Sequence, residues 1–579
     1  MAAYNNKSME AEDLPKKRKH ESSHWWEDDL EDKSTIKWNS LEHHGVMFPP
    51  LYQPHGMPIL YNGEHVSLTP EQEEVATMWA SVVGTEWETK EIFRKNFEKN
   101  WLRVLGENHT IKSLDGCDFK GIQAHIEAQR ELRKARPTEE KKAEREIKQK
   151  IDEEMGYAIV DNVREKISNI IVEPPGLFRG RGQHPKAGYL KARLSPEDIT
   201  INVGKGNKVP ICPLPGHAWK NVTHNSTVTW LAFYKDPELT FSNVKYVYLS
   251  ASSKFKGLND KLKYEKARRL KEYIEGIREN YHGKIRSENA LDRQLGSALY
   301  LIDKLALRVG NEKSEDEADT VGCCSLRVEH IKLEEDYHIT LDFLGKDSMR
   351  YFNTVQIIPE VYENLKGFIS GKDKENELFD LITTTSLNEY LKSFMEGLSA
   401  KVFRTYNASI CLQQQLAKFN ELDQTVEEKV KFYTDANREV AILCNHQKST
   451  PKNFDAQMEK LQDKLKEKLD IIVMLEDHIK FLKNGKNPVK TDKKLPTNEE
   501  SARKALARAK TTVKNMEIRL KMKDDNKTVA LGTSKINYMD PRITVAWCKK
   551  EEVPIERIFP KTLRAKFIWA MYAEPSWQF

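Results

Sequence analysis

Near its C-terminal end, the chain of 579 residues contains the stretch Gly532-Thr533-Ser534-Lys535-Ile536-Asn537-Tyr538-Met539-Asp540-Pro541-Arg542-Ile543-Thr544-Val545-Ala546-Trp547. Its first half is rich in Gly, Ser and Asn and predicts a loop, whereas Asp followed by Pro is typical of a helix start. We expect Asp540 to be the N-cap of a helix from Pro541 to about Lys550. The buried face of this helix would carry three apolar residues, Ile543, Ala546 and Trp547. Tyr538 then lies in a loop two residues before the helix, where its phenol can pack or point into a cleft.

The composition indicates a large protein with several domains. A chain of this length exceeds one hydrophobic core, and about three or four domains are expected. Hydrophobic residues make up 39% and charged residues 31%, which is typical of long solvated helices around modest cores. The net charge is only +5, but residues 451–530 hold 20 Lys and Arg against 13 Asp and Glu, a local charge of +7. Such a segment is typical of binding to a phosphate backbone, and equally of a solvated helix.

The cysteines indicate a reducing compartment. They are odd in number, scattered, and contain no C-x-x-C pair, so we interpret them as reduced thiols of an intracellular protein without structural zinc. The seven are Cys117, Cys212, Cys323, Cys324, Cys411, Cys444 and Cys548. No apolar run approaches the length needed to span a membrane.

The first 24 residues are polar and are predicted to be disordered. They contain the compact basic cluster Pro15-Lys16-Lys17-Arg18-Lys19-His20, which is of nuclear-import type. A basic tail without a targeting role is the alternative. A mitochondrial transit peptide should be rich in Arg and poor in acids, whereas acidic residues flank this cluster.

The following region mixes helix and loop signals. Thr69-Pro70-Glu71-Gln72-Glu73 predicts an N-cap with Pro in the first turn, and residues 89–97 begin another amphipathic helix. Residues 123–155 predict a long exposed helix broken near Pro137. The Pro and Gly residues of 173–185 force an irregular loop that carries Arg179 and Arg181. Strand signals follow at 227–234 and 244–249.

The central region predicts a helical block from about Leu258 to a C-cap at Gly310, with Arg308 at its end. Residues 324–331 and 337–344 predict a strand pair, and 345–348 a turn into a third strand at 349–352, with Lys346 at the hairpin tip. One further helix begins at 401–409, which contains Arg404. The next helix ends at 439–447, which contains His446.

Two heptad patterns follow. Apolar residues recur at steps of three and four in 455–484 and again in 498–522, with a Gly/Pro break at Asn484–Pro488 between them. This arrangement predicts an antiparallel coiled-coil hairpin, and a parallel homodimeric coiled coil is the alternative.

The Tyr538 stretch resembles the active-site segment of eukaryotic type IB DNA topoisomerases, and the resemblance extends from about Trp25 to Phe579. It is densest in the motifs E-P-P-G-L-F-R-G-R-G (173–182), D-K-L-A-L-R-V-G-N-E-K (303–313), A-D-T-V-G-C-C-S-L-R-V-E-H-I (318–331), D-F-L-G-K-D-S (342–348), K-V-F-R-T-Y-N-A-S (401–409) and A-I-L-C-N-H-Q (441–447). The N-terminal tail is much shorter than those of nuclear members. The coiled-coil region and residues 573–579 match only loosely.

The resemblance implies that Tyr538 is the nucleophile, Lys346 the general acid, and Arg308, Arg404 and His446 the groups that hold the phosphate oxygens. It also places five further residues at the DNA or beside the family's camptothecin-type inhibitors: Arg179, Arg181, Asp347, Asn537 and Lys254. This set suits attack on a phosphodiester, because guanidinium forks match the charge on the non-bridging oxygens and a poor leaving group needs a proton.

The activity implied is relaxation of positive and negative supercoils through a transient 3′-phosphotyrosyl bond, strand rotation and resealing. Neither ATP nor a metal is expected, and no nucleotide-binding motif is present. The expected partner is double-stranded DNA, bound by a monomeric clamp in the nucleus together with chromatin and the transcription or replication machinery.

The expected fold is an α+β multidomain clamp. Its predicted parts are the tail (1–24), a mixed DNA-binding cap (25–252), a mainly helical catalytic domain of tyrosine-recombinase type (253–450), the coiled-coil linker (451–528) and a small helical C-terminal domain (529–579). A tyrosine recombinase and a DNA-binding scaffold without activity are the alternatives. The chain-long resemblance disfavours the first, and the intact Tyr538, Arg308, Arg404 and Lys346 disfavour the second.

Overall fold

The computed structural model describes residues 36–239, 244–310, 317–420, 424–484 and 495–579. The predicted disordered tail with its basic cluster (15–20) and the Gly/Pro break after Asn484 lie outside these residues. Among the residues described, no helix is long and apolar enough to cross a membrane.

The N-terminal region combines small sheets with four helices in its described part. The helices are α1 (Pro70–Ala80), α2 (Glu91–Leu105), α3 (Lys120–Ala135) and α4 (Thr138–Met155). The strands are β1 (Leu41–His43), β2 (Ile59–Tyr61), β3 (Glu64–Val66), β4 (Cys117–Asp118), β5 (Tyr157–Val160), β6 (Val163–Lys166), β7 (Gly176–Leu177), β8 (Leu190–Lys191), β9 (Ile199–Asn202), β10 (Asn221–Thr223), β11 (Trp230–Tyr234) and β12 (Lys245–Tyr248).

These strands form several sheets rather than one. Their orders are β3-β2-β4, β1-β5-β6, β7-β8 and β10-β9-β11-β12. Within the last sheet β9 and β10 are parallel, and the other pairs are antiparallel. Helices α1 and α2 and the first half of α3 pack on their own core, where the rings of Trp79 and Phe97 stack with centroids 4.4 Å apart.

Several predictions for this region are confirmed. Thr69 is the N-cap of α1 and forms a capping box with Gln72, as its Thr-Pro start indicates. The exposed helix of 123–155 is present as α3 and α4, separated at Pro137 because Pro cannot continue the helical hydrogen bonds.

The rest of the chain is mainly helical. Its helices are α5 (Lys254–Ile285), α6 (Ala290–Leu305), α7 (Pro359–Ile369), α8 (Thr384–Lys392), α9 (Ala400–Ala417), α10 (Val426–Leu443), α11 (Phe454–Lys483), α12 (Glu499–Asp525), α13 (Leu531–Asn537), α14 (Pro541–Lys550) and α15 (Lys561–Lys566). One antiparallel sheet joins them, with the order β13 (Ile331–Leu333), β14 (His338–Gly345), β15 (Met349–Gln356). Buried side chains of α5–α10, of this sheet and of the C-terminal residues 538–579 form a single hydrophobic cluster.

The sheet differs from prediction at its first strand. Only Ile331 of the predicted 324–331 segment is strand, because β13 spans Ile331–Leu333, and short 3-10 turns precede it. Backbone amides of these turns bond to other segments instead. For example, the amides of Cys323 and Cys324 donate to the carbonyls of Arg308 and Val309.

The helical block predicted from 258 to Gly310 is wrong at its end. It consists of α5 and α6, and α6 ends at Leu305 because Ala306 adopts a left-handed conformation with φ of 47°. The carbonyl of Ala306 accepts a hydrogen bond from Arg404 rather than from a following helical amide. Arg308 therefore lies in an extended segment, and Gly310 does not cap a helix.

The loop predicted before Tyr538 is also wrong. Residues Leu531–Asn537 form the short helix α13, and the carbonyl of Ser534 accepts from the amides of Tyr538 and Met539 where the helix ends. Ser534 is fully buried, and its tertiary contacts outweigh the loop preference of the local sequence. The next helix is as predicted, because α14 begins at Pro541 with Asp540 as its N-cap.

The two heptad segments form α11 and α12, which pack against each other. Lys523 Nζ donates to Gln457 at 3.0 Å, and Lys510 pairs with Glu476 at 2.7 Å, so the two helices run antiparallel. Leu469 is 42% exposed, although the heptad pattern predicts it in the seam. Where only α11 and α12 pack together, each helix covers one stripe of the other and leaves the remaining faces exposed.

Candidate active site

Tyr538 lies in the short connection between α13 and α14 and is 7% exposed. The hydroxyl of Ser409, on α9, donates to the Tyr538 carbonyl at 3.2 Å and accepts from the Asp540 amide at 3.1 Å. The Asp540 carboxylate accepts in turn from the Arg542 amide at 2.9 Å, and this bond caps the start of α14. The backbone on both sides of the tyrosine is therefore fixed to α9.

Arg404, on α9, is the second member of the site. Its guanidinium carbon lies 4.9 Å from the centroid of the Tyr538 ring, and the residue is 7% exposed. It donates to the carbonyl of Ala306 at 2.5 Å and to the carbonyl of Cys444, at the ends of α6 and α10. Burial lowers the pKa of Arg404, but a guanidinium remains charged because its ordinary pKa is so high.

Arg308 approaches the ring from the segment after α6, with its guanidinium carbon 5.7 Å from the Tyr538 centroid. Its carbonyl accepts from the Cys323 amide at 2.8 Å. A Cβ added at Gly322 would lie 2.4 Å from the amide nitrogen of Gly310 and 2.7 Å from the Arg308 carbonyl oxygen, so only glycine allows this close approach of backbones.

His446 lies beyond the end of α10, and its ring stacks on that of Tyr538 with centroids 5.3 Å apart. Its Nδ1 is hydrogen-bonded to the Ser534 hydroxyl at 2.7 Å, and its Nε2 faces Arg404. Burial, and to a smaller extent the charges of Arg404 and Arg308, lowers the pKa of His446 to about 3. The imidazole is therefore neutral at physiological pH.

Among the described residues, the positive charge of the site has no matching carboxylate. In the part of the chain that the structure describes, neither Arg308 nor Arg404 forms an ion pair with Asp or Glu. Arg404 Nε is buried and has no hydrogen-bond partner there. A buried donor without a partner costs about 1–3 kcal/mol. An anion beside the tyrosine would satisfy that donor and offset the repulsion between the two guanidinium groups.

Lys346 is at the tip of the β14–β15 hairpin, as predicted, and it is exposed, whereas Tyr538 is buried. Within the described residues it has no hydrogen bond or ion pair. Val321 joins the hairpin to the site, because its amide donates to the Leu344 carbonyl at 2.8 Å. Two residues later, the Cys323 amide donates to the Arg308 carbonyl.

The hairpin tip also meets the 173–185 loop. Arg181 and Asp347 form an ion pair, and a Cβ added at Gly182 would lie 2.3 Å from the Ser348 hydroxyl. Asp347 takes a left-handed conformation with φ of 68°. The loop of the N-terminal region thus closes against the hairpin that carries Lys346.

The structure places the remaining predicted contact residues at the surface. Asn537 is exposed directly before the tyrosine, Arg179 is exposed in the 173–185 loop, and Lys254 is exposed at the start of α5. Each is therefore accessible to a large ligand, whereas the Tyr538 ring contacts Arg308, Arg404 and His446.

Three residues around the site were not predicted. Ser409 and Ser534 fix the backbone of Tyr538 and the ring of His446, and Lys263 of α5 donates to the carbonyl of Asn537 at 3.0 Å. Burial lowers the pKa of Lys263 to about 8. Both serines lie inside motifs that the sequence singles out, but no spacing rule indicates their hydrogen bonds. Lys263 is one lysine among many on a long helix.

Three family models match the chain. Residues 252–479 match the model described as the catalytic core of eukaryotic DNA topoisomerase I, and residues 36–249 match its DNA-binding fragment. Residues 510–579 match the C-terminal topoisomerase domain.

Curated relatives are similar over most of the chain. DNA topoisomerase 1 beta of Arabidopsis thaliana is 51% identical over 546 residues, 94% of this chain and 59% of that protein. DNA topoisomerase 1 of Caenorhabditis elegans is 48% identical, covering 94% of this chain and 68% of that protein. The human protein of that name is 48% identical, covering 93% and 71%. The chain thus spans less than two thirds of the length of the Arabidopsis relatives.

The neutral state of His446 can be measured by NMR titration of ring-labelled histidine, with H446Q to assign the signal. An unfolded imidazole binds a proton near pH 6.5, and the folded one binds it only near pH 3. Between these values the unfolded chain holds one proton more, so this residue destabilises the fold as pH falls. We expect no titration of the assigned signal between about pH 5 and 8. A midpoint within that interval would show that His446 is a cation in the free protein.

Proposed function

Because the chain belongs to the eukaryotic DNA topoisomerase I family, we propose that it relaxes positively and negatively supercoiled DNA by breaking and resealing one strand. Tyr538 is the nucleophile, and the intermediate is a phosphodiester between its oxygen and the 3′ end of the broken strand. The cut strand rotates about the intact one before it is resealed.

One observation carries the proposal: two guanidinium groups without carboxylate partners in the described residues converge on a buried tyrosine. Their carbons lie 4.9 and 5.7 Å from its ring centroid, and a neutral imidazole stacks on the same ring. A pentavalent phosphorus places negative charge on two non-bridging oxygens, and fixed donors aimed at that charge are an effective form of catalysis. The Nε of Arg404, which has no hydrogen-bond partner among the described residues, supplies one such donor.

The cleavage step is an in-line exchange of two phosphate esters. The Tyr538 oxygen forms a bond to phosphorus as the bond from phosphorus to the 5′ oxygen breaks, and the phenolic proton passes to solvent. Arg308, Arg404 and His446 hold the non-bridging oxygens, with His446 acting as a neutral hydrogen-bond partner. Lys346 gives its proton to the departing 5′ oxygen, so that a free 5′ hydroxyl is produced. Resealing reverses each transfer.

Lys346 is exposed, so its contact with the scissile phosphate is proposed to form only when DNA is bound. The hairpin that carries it is held by Val321 beside Arg308 and by the Arg181–Asp347 ion pair. A duplex lying between the 173–185 loop and the core would bring its scissile phosphate against this tip. Catalytic hydrogen bonds that form only in the complex are common.

The proposed reaction needs neither ATP nor a metal ion. The energy of the broken phosphodiester is kept in the phosphotyrosine, so resealing draws on no external source. The two guanidinium groups supply the positive charge on the phosphate oxygens.

The proposed substrate is double-stranded DNA, enclosed by a monomeric clamp. The exposed Arg179, Arg181, Lys254 and Asn537, together with Asp347, would meet the duplex near the cut, mostly at phosphates, so binding should weaken strongly with salt. We place this activity in the nucleus, with chromatin and the replication or transcription machinery as partners.

We assign to α11 and α12 the role of a coiled-coil linker that projects from the clamp and slows rotation of the cut strand. Its lysine-rich outer faces support this role, because they would attract the rotating duplex. Lys514 of α12 pairs with Glu428 of α10 at 2.7 Å, which joins the linker to the core.

The nucleophile is tested by relaxation of supercoiled plasmid in EDTA without ATP. Wild type should relax the plasmid and Y538F should not, because the ring remains but its oxygen is lost. Y572F, an exposed tyrosine, is the matched control and should relax normally. Relaxation by Y538F would show that another residue attacks, and loss of relaxation in wild type with retained DNA binding would favour a scaffold.

The role of Lys346 is tested with a substrate whose 5′ bridging oxygen is replaced by sulfur, a leaving group that needs no proton. K346A should slow single-turnover cleavage of ordinary DNA by about 100-fold or more, and cleave the sulfur substrate at nearly the wild-type rate. R404Q should slow cleavage of both, since it acts on the non-bridging oxygens. An equal defect of K346A on both substrates would contradict proton donation by this lysine.

A further inference from the structure

A buried carboxylate lies in the last turn of α6. The side chain of Asp303 is fully buried. It accepts hydrogen bonds from Arg278 Nε at 2.9 Å, from Arg278 Nη2 at 3.3 Å and from the Tyr281 hydroxyl at 3.0 Å. Asn407 donates to its backbone carbonyl at 2.6 Å and to its carboxylate at 3.4 Å.

These bonds join three helices at one point. Arg278 and Tyr281 belong to α5, Asp303 to α6 and Asn407 to α9. Hydrogen bonding to Asp303 raises the pKa of Arg278, and burial with the nearby carboxylate raises that of Tyr281. A buried charge is strongly unfavourable unless it is paired and hydrogen-bonded, so this carboxylate holds its partners in one arrangement.

The junction lies close to both arginines of the active site. Asp303 precedes Ala306 by three residues, and the Ala306 carbonyl accepts from Arg404. Asn407 follows Arg404 by three residues, so it lies about one turn along the same helix. The end of α6 leads directly to Arg308. Displacement of α6 along α9 would therefore change the separation of the two guanidinium groups.

We propose that Asp303 is a positioning residue that sets the distance between the guanidinium groups of Arg308 and Arg404, by fixing the end of α6 against α9 through Asn407. The inference rests on the function proposed above. Asp303 touches neither Tyr538 nor the proposed phosphate, so it acts only through the two arginines.

A second ion pair provides a matched control. Asp292, in the first turn of the same α6, pairs with Lys284 of the same α5 at 2.5 Å, and its side chain is 31% exposed. It joins the same two helices at the end of α6 that is remote from Ala306, and within the described residues it forms no hydrogen bond or ion pair with α9. D292N therefore removes a carboxylate from the α5–α6 interface without touching the junction.

The experiment compares wild type, D303N and D292N in single-turnover cleavage of two DNA substrates. One has an ordinary scissile phosphodiester, and the other a methylphosphonate, in which a methyl group replaces one non-bridging oxygen and removes the negative charge. Displaced guanidinium groups matter less when that charge is absent. D303N should cleave the diester about 10- to 100-fold more slowly than wild type, and the ratio should fall toward one with the methylphosphonate. D292N should resemble wild type on both.

The inference is overturned if D303N slows both substrates equally, which is the result of general destabilisation, or if D303N and D292N behave alike on the diester. Thermal unfolding and DNA binding are measured for every variant. If D303N does not fold, N407A, which removes the bonds from α9 alone, is tested by the same two ratios. If wild type forms no covalent adduct with the diester, the proposed function itself has failed, and the inference fails with it.

Discussion

The site depends on the burial of the Arg404 guanidinium between two helix ends. Its donors bond to the carbonyls of Ala306 and Cys444, which follow the last residues of α6 and α10. Carbonyls at a helix C-terminus lack helical partners and carry partial negative charge, so they suit a buried cation. The two bonds compensate part of the cost of removing the guanidinium from water, which is several kcal/mol for a bare ion. Arg404 thereby holds together the segments that lead to Arg308 and His446.

The carbonyl partners of Arg404 hold its guanidinium in place without cancelling its positive charge. Cations are usually compensated by carboxylates when buried, but here the compensation comes from carbonyl dipoles, which leave Nε without a partner among the residues described. Burial is the largest cause of the lowered pKa of His446, and the charges of Arg404 and Arg308 lower it further, so the imidazole stays neutral. Donors are thus already directed at the place where phosphate charge would develop, and little reorganisation is needed when DNA arrives.

The sequence predicted the parts of the fold that follow local rules. The Thr-Pro start of α1, the break at Pro137 and the Asp-Pro start of α14 depend on caps and on missing donors, and all three are confirmed. The errors at Gly310 and at 532–537 arose where tertiary contacts override local preference. A bond from Arg404 ends α6 early, and the buried Ser534 makes a Gly- and Ser-containing stretch helical.

The candidate site residues were inferred from the resemblance, not from their spacing in the sequence. Residues as distant in sequence as Arg308 and Tyr538 meet because one hydrophobic cluster includes both α5–α10 and the C-terminal residues. The structure brings Arg308, Arg404 and His446 to the Tyr538 ring and leaves Lys346 exposed. Ser409, Lys263 and Asp303 could not be found from sequence, because their roles follow from hydrogen bonds between segments more than a hundred residues apart or from helix packing.

The central claim is that Tyr538 becomes covalently joined to DNA at a 3′ phosphate. The most direct measurement is to trap the adduct in denaturant, digest protein and DNA, and sequence the modified peptide by mass spectrometry. The account predicts a single modified peptide, with a phosphodiester on Tyr538 that retains the 3′ end of the cut strand and leaves a free 5′ hydroxyl. Modification of another tyrosine, or attachment through the 5′ end, would contradict it.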